Sequence, residues 1–254
     1  METFIYERMW QHEGSHWWFQ ARREILTGVA RKWASPGARI LDAGCGTGFI
    51  AEALHADYRV TLIDSAREAL HFCLKRQLPA ACASLQQLPF ASGFFDLVGC
   101  FDVLYHREAR PLAATLAEIH RVLKPGGVIV VAEPAHQWLF GEADVLDHAA
   151  ERFTAFQLSR HLRAADFAVR REGYFNTLLA PAIVALRLLR RMWLRLWPTA
   201  EPSSEFGHVP KPLNEALRRV FLFEKARVLR GGYPFGVSVI CVAQKGQQAP
   251  VDGS

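Results

Sequence analysis

The run Leu41-Asp42-Ala43-Gly44-Cys45-Gly46-Thr47-Gly48 sets glycines at alternate positions directly after a short apolar stretch. Glycines so placed let the backbone turn sharply and approach a ligand closely. A dinucleotide fingerprint would read GxGxxG and seat a pyrophosphate on a helix N-terminus. Here the third glycine comes one position early, and the carboxylate of Asp42 at the strand end would repel a pyrophosphate. It suits a ligand that carries an ammonium or another cationic centre. Asp64 closes the next apolar stretch. It either accepts a pair of ribose hydroxyls or caps a helix starting near Ala66. Asp102, Tyr105 and His106 follow a third such stretch. Imidazole titrates near neutral pH and is a natural general base. His106, with Asp102 as a second candidate, is therefore either a catalytic group or an organiser of its loop.

The elements that must hold these residues alternate in the βαβ manner. Residues 39–42, 58–63, 80–83, 95–101 and 128–132 are predicted strands. Helical spacing occupies the gaps between them, at about 49–55, 66–76 and 111–123. Five such strands imply an α/β fold with a mainly parallel, doubly wound sheet. Residues 153–165 are predicted helical, and 167–174 and 236–243 read as two further strands. The expected organisation is an aromatic, helical N-terminal cap over 1–24 and a core over 25–174. A basic helical insertion or lid over 175–235, a final strand at 236–246 and a loose tail at 247–254 complete it.

Half of the 254 residues are hydrophobic and 22% are charged, which excludes a disordered or collagen-like chain. The five cysteines form no CxxC pair and read as thiols of a reducing, cytoplasmic compartment. Residues 1–10 carry Glu2, Glu7 and Arg8 and lack an apolar stretch, so no signal peptide is expected. The longest apolar run, 178–186, falls short of the ~20 residues a membrane-spanning helix needs. The net charge is +5, yet residues 178–230 hold ten basic and four acidic side chains, so the remainder sums to −1. Interleaved aromatics of the kind a nucleic-acid platform uses are missing from that segment, so no nucleic-acid partner is expected.

On a helical wheel, Arg187, Arg190, Arg191 and Arg195 fall within roughly 140°, and Leu186, Leu188, Leu189, Met192, Trp193, Leu196 and Trp197 take the rest. Such a helix fits an anionic membrane surface, at the inner face of a membrane, or a lipid-like substrate. The other reading is a lid whose apolar side lies on the core and whose arginines face solvent.

Four motifs together resemble class I methyltransferases dependent on S-adenosylmethionine (SAM). They are Leu-Asp-Ala-Gly-Cys-Gly-Thr-Gly at 41–48, Asp64, Leu88-Pro89-Phe90 before Phe95-Asp96-Leu97-Val98, and Leu123-Lys124-Pro125-Gly126-Gly127. The resemblance implies a Rossmann-like sheet of seven strands with an antiparallel last strand. It implies that SAM is the cofactor and that Gly44, Cys45, Gly46 and Gly48 line its methionine moiety, with Asp42 near the amino group. Asp64 and Ser65 would take the ribose, and Ser84 and Leu85 the adenine. Ser84 stands where relatives often place an Asp. Phe101 would lie between cofactor and acceptor.

Glu13-x-x-His16-Trp17-Trp18-Phe19-x-x-Arg22-Arg23 is similar to an N-terminal signature of a bacterial methyltransferase subgroup. That subgroup also carries Trp138-Leu139-Phe140, Asp144, Arg152-Phe153-Thr154 and Pro234-Phe235-Gly236-Val237-Ser238. His16, Trp17, Trp18 and Tyr105 become acceptor-side candidates, although the two tryptophans could equally pack helix on sheet. Residues 148–152 depart from the subgroup's more His- and Arg-rich pattern. Tyr105 departs from an acidic pattern linked to a divalent metal, so no metal is expected. The implied activity is methyl transfer to an oxygen or nitrogen of a small or lipid-linked acceptor. A SAM-binding protein without turnover, acting as a partner subunit, remains an alternative; a nicotinamide-dependent oxidoreductase is disfavoured by the glycine spacing and Asp42.

Overall fold

In the computed structural model, which describes residues 3–196 and 209–247, β5 (Leu123–Pro134) shows why a sheet forms. Val128, Val130 and Ala132 are buried in one core, while Ile129 and Val131 are buried in the other. Burial on both faces is what a parallel sheet covered by helices demands. The same alternation splits Ile40 from Leu41 in β1 (Arg39–Ala43) and Leu62 from Ile63 in β2 (Arg59–Asp64). With β3 (Ala80–Cys82), β4 (Phe95–Phe101), β6 (Phe167–Phe175) and β7 (Ser238–Lys245), these strands form one seven-stranded sheet. Its order is β3-β2-β1-β4-β5-β7-β6, and β7 runs antiparallel to both neighbours. This is the mostly parallel, doubly wound α/β sheet expected from the sequence.

The winding reverses between β1 and β4, which lie side by side with Ile40 opposite Leu97 and Asp42 opposite Gly99. In such sheets the reversal leaves a crevice at the strand C-termini. The loops after Ala43 and after Phe101 therefore open next to each other. One face is covered by α5 (Leu112–Val122) and α7 (Ala155–Ala164). The other is covered by α2 (Trp17–Trp33), α3 (Phe49–Leu54), α4 (Arg67–Lys75), α9 (Lys211–Phe223) and α10 (Lys225–Val228).

Two expectations are corrected here. The boundary expected at residues 24–25 falls inside α2, which begins at Trp17 after His16 as its cap. Ala21, Ile25, Leu26, Val29 and Ala30 give one buried stripe through the charged run Arg22-Arg23-Glu24, because Arg22 is itself turned inward. A separate helix, α1 (Thr3–Glu13), precedes it. The second correction concerns 175–235. Its latter part is no lid, since α9 and α10 belong to the core layer through Phe221 and Val228. Buried Glu224 accepts hydrogen bonds from the backbone N–H groups of Thr177 (2.8 Å) and Leu178 (2.7 Å).

The first part, α8 (Ala180–Leu196), lies the opposite way round from the lid expected of it. Arg187 donates to the carbonyl of Leu139 (2.7 Å) and Arg191 to those of Trp138 (3.1 Å) and Phe140 (2.9 Å). Arg190 pairs with Glu142 at 2.9 Å. The turn Gln137–Leu139 thus supplies acceptors that draw the arginines inward, and the large apolar side chains are left outside. Trp197 and the side chain of Arg195 lie outside the described residues.

Candidate functional site

The glycine loop is shaped by contacts only glycine permits. Gly44 has φ +81°, and a Cβ there would stand 2.5 Å from Cγ2 of Val103. Gly44 and Cys45 both donate their N–H groups to the carbonyl of Ile63 at 2.9 Å, tying the loop to the end of β2. Asp64 completes the tie: Oδ2 accepts from Gly46 N and Oδ1 from Ala66 N, both at 2.9 Å. The helix-cap reading is not met, since Ala66 is the N-cap of α4 and no side chain caps that helix; Asp64 holds the turn before it, and each oxygen keeps a lone pair for a hydroxyl. Burial raises its pKa, against the lowering effect of those backbone donors.

Asp42 is 3% exposed, and its Oδ2 finds no hydrogen-bond partner among the described residues. Burial first, and the charge of Asp64 second, push its pKa up to about 7. A buried, unsatisfied carboxylate is costly unless a donor or cation meets it. This orphan fits the ammonium of an amino-acid moiety.

A second cluster sits at the ends of β4 and β5; the sequence singled out its Asp102 and Trp18 but not Arg22 or Glu133. Arg22, 3% exposed, donates through Nη2 to Asp102 Oδ1 at 2.7 Å, and its guanidinium lies 5.2 Å from the Trp18 ring centroid and 5.1 Å from that of Phe175. Its Nε and Nη1 have no partner among the described residues. Asp102 adopts φ +57° and donates its N–H to Ala132 O at 2.8 Å. Its carboxyl is raised by burial and lowered by Arg22. Buried Glu133 accepts from Val103 N (3.2 Å) and Leu104 N (2.9 Å), fixing the loop after β4. Burial, reinforced by Asp102, lifts its pKa to about 8, so it is largely protonated at neutral pH.

His106 Nδ1 lies 2.5 Å from the carbonyl of Asp147. A carbonyl only accepts, so this nitrogen carries the proton and Nε2 keeps the lone pair. Burial depresses the ring's pKa to about 4. Tyr105 is buried and donates its hydroxyl to Asp147 Oδ2 at 3.1 Å. The loop bearing Asp147 is pinned by the buried pair of Asp144 with Arg152, at 2.8 and 3.0 Å.

The other expected residues take varied positions. His16 caps α2 by accepting from Trp18 N at 3.3 Å. Trp17 packs edge-on against Phe221 of α9, whereas Trp18 faces Arg22. Phe101 is buried at the end of β4, and Leu85 packs against the α5/α7 core. Ser65 and Ser84 are exposed; the Ser84 hydroxyl pairs with Gln86, so it is turned along its own loop.

α1 closes one wall of the glycine loop. Buried Glu13 accepts from Thr47 Oγ1 at 2.5 Å and pairs with Arg76, whose Nε donates to Thr47 O at 3.0 Å. Met9 Cε lies 3.8 Å from the point where a Cβ of Gly46 would be. Glu13 stood in the N-terminal signature, so its position was visible in the sequence, but its partners were not.

Residues 41–131 match a family model described as a methyltransferase domain. That stretch, which holds the glycine loop, Asp64 and the loop after β4, is thus similar to a methyltransferase domain. Over 108 residues the chain is 42% identical to the uncharacterized methyltransferase YodH of Bacillus subtilis strain 168, covering 40% of this chain and 45% of that protein. Over 158 residues it is 33% identical to a malonyl-[acyl-carrier protein] O-methyltransferase of Serratia marcescens, covering 59% and 61%. The chain thus spans less than two thirds of the length of these relatives. Among solved structures, the methyltransferase in complex with the Trm112 activator of Haloferax volcanii superposes with a TM-score of 0.62 at 19% identity, over 96% of each chain. At that identity the likeness concerns the fold.

Proposed function

We propose that this chain is an enzyme that transfers the methyl group of SAM to an oxygen or nitrogen of a small or lipid-linked acceptor. The observation that carries the reading is the pair of buried carboxylates flanking the glycine loop, Asp42 unsatisfied and Asp64 bound only to backbone. Asp42 would hold the cofactor's ammonium and Asp64 its ribose, with Gly44, Cys45, Gly46 and Gly48 against the methionine chain. Arg22, with two unpartnered N–H donors beside Asp102, would take a carboxylate, that of the cofactor's methionine in the first instance. Ser65 would border the ribose, and Ser84 and Leu85 the adenine, with Ser84 supplying only a neutral contact.

When bound, the cofactor supplies an electrophilic methyl on a sulfonium centre. The chain's own work is then to align an acceptor and keep the site dry. Phe101 and Trp18 supply aromatic faces, to which a cationic methyl donor is attracted. His106 keeps an acceptor lone pair on Nε2, but a ring with a pKa near 4 is a weak base. We therefore assign His106 to orienting the acceptor, together with Tyr105 and the Asp102–Arg22 pair. His16 and Trp17 would support that wall.

Titration calorimetry with SAM, followed by incubation with labelled SAM and a lipid extract, tests the reading. Binding and a labelled product are expected. Asp64→Ala should weaken SAM roughly 10- to 100-fold, the value of one or two hydrogen bonds to a charged group. Unchanged affinity would remove Asp64 from the cofactor site. The alternative of a SAM-binding subunit without turnover draws on the neutral Ser84 and the weak base His106. Binding without any labelled product would establish it.

A further inference from the structure

α1 lays one face along the glycine loop. At 100° per residue, Tyr6, Met9 and Glu13 fall within about 60° of one another. Tyr6 is buried and packs with Ala69 and Phe72 of α4. Burial first, then the charge of Asp64, hold its hydroxyl well above the usual phenol pKa, which sets that hydroxyl near the end of β2. Met9 reaches Gly46, its Cε 3.8 Å from where a Cβ would stand. Glu13 meets Thr47. The face thus runs from the end of β2 across the loop to Thr47.

Glu13 commits this face to the loop. It is 1% exposed and both of its oxygens are used: Oε2 accepts from Thr47 Oγ1 at 2.5 Å, and Oε1 pairs with Nη2 of Arg76. Arg76 in turn donates through Nε to Thr47 O at 3.0 Å and pairs through Nη1 with Glu52 of α3 at 2.9 Å. Thr47 is therefore gripped at its hydroxyl from α1 and at its carbonyl from α4. An anion this buried is tolerated only with its partners in place. Glu13 can stay there only while the loop presents the Thr47 hydroxyl to it.

The seam can also part without stranding a charge. Once α1 lifts, Glu13 returns to water, and Arg76 retains Glu52 and Thr47 O. Beyond α1 the chain is fixed from Gly14 onward. Asn214 of α9 donates to Ser15 O at 2.9 Å and accepts from Trp17 N at 2.8 Å, and Gln20 donates to Gly14 O at 2.7 Å. An 11-residue helix is marginal by itself in water, so α1 draws its order from docking.

We propose that Glu13 is a positioning residue for the cofactor site, which with Arg76 latches α1 onto Thr47 so that α1 docking and cofactor binding stabilise each other. The latch stands on the contacts above; its coupling to the cofactor rests on the SAM reading. A ligand held against Gly44, Cys45 and Gly46 fixes the loop shape that Glu13 needs, and a docked α1 fixes the same shape for the ligand. Linkage makes the two effects equal in size.

The test is amide hydrogen exchange of the full chain, with and without SAM, beside SAM calorimetry. In wild type, SAM should slow exchange across residues 3–13. Glu13→Gln should weaken SAM at least about tenfold. It should also speed exchange in α1 while the central strands keep their protection, and abolish the slowing by SAM. Thr47→Val removes the hydroxyl at similar volume and should act alike, whereas Thr47→Ser should keep wild-type affinity. Glu13→Gln combined with Thr47→Val should bind no more weakly than the weaker single variant, because both remove one contact. Should Glu13→Gln fail to fold, Thr47→Val against Thr47→Ser reads that contact from the loop side. Unchanged SAM affinity in a folded Glu13→Gln overturns the proposal. So does exchange that rises equally through the strands, which makes Glu13 a general stabiliser. Wild type that binds no SAM overturns the cofactor reading instead. The latch is then read from α1 exchange in Glu13→Gln alone, and unchanged exchange overturns it.

Discussion

At the scale of single residues, the crevice proposed for the cofactor concentrates ionisable groups whose burial alters their charge. Asp42 should be half protonated near pH 7 in the free protein. A cationic ligand group prefers the ionised form, so SAM affinity should rise as pH increases through about 7 and level off above. Asp42→Asn should bind more weakly at pH 8 and lose that part of the pH dependence, as calorimetry at several pH values would show. The folding linkage has the opposite sign. The unfolded chain releases this proton near pH 3.8 and the folded chain near 7, so Asp42 contributes stability below pH 3.8 that is lost as pH rises to 7. For His106, the depressed pKa argues that His106→Gln, which keeps a polar side chain, retains most of kcat. A fall of about 100-fold or more would instead mark His106 as a general base. Asp42, Asp64 and His106 were legible in the sequence because each lies at or within a few residues of a strand's C-terminal end. Arg22 and Glu133 were not, because burying a charge depends on partners far away in the chain.

At the scale of elements, the loop after β1 and the loop after β4 are fitted to each other. The contact of Gly44 with Val103, at positive φ, leaves no room for a side chain. Gly44→Ala should cost about 1–3 kcal/mol of stability from backbone strain and overpacking. Denaturant unfolding would measure that cost, and SAM affinity should fall with it. Helix α2 shows where pattern reading fails. Its charged run hid a continuous helix, since a buried arginine stacked between Trp18 and Phe175 looks in sequence like a surface charge. α8 fails in the other direction. Its wheel was read correctly, but no wheel states which side meets the protein.

At the scale of the whole molecule, the segment between β6 and β7 is divided. α8 is fastened at the edge by arginines, while α9 and α10 complete the layer that α2 begins. Phe221 is fully buried beside Trp17 and Phe175. Phe221→Ala should destabilise the fold by about 3–5 kcal/mol. Because that residue ties the segment to the sheet, calorimetry should show one unfolding transition at lower temperature. Two separate transitions would make 175–235 an independent unit.

Sequence by itself determined what is local: the strand alternation, the glycine-rich turn, the carboxylates at strand ends and the βαβ order that leads to the parallel sheet. These follow from the chain's own geometry over a few residues. The tertiary structure decided the rest. It buried Arg22 against Asp102, set Glu133 under the loop after β4, closed α1 over the glycine loop through Glu13, and turned the arginines of α8 inward. Each of those outcomes depends on which distant groups offer a hydrogen-bond acceptor or an apolar surface, and spacing along the chain carries no record of that.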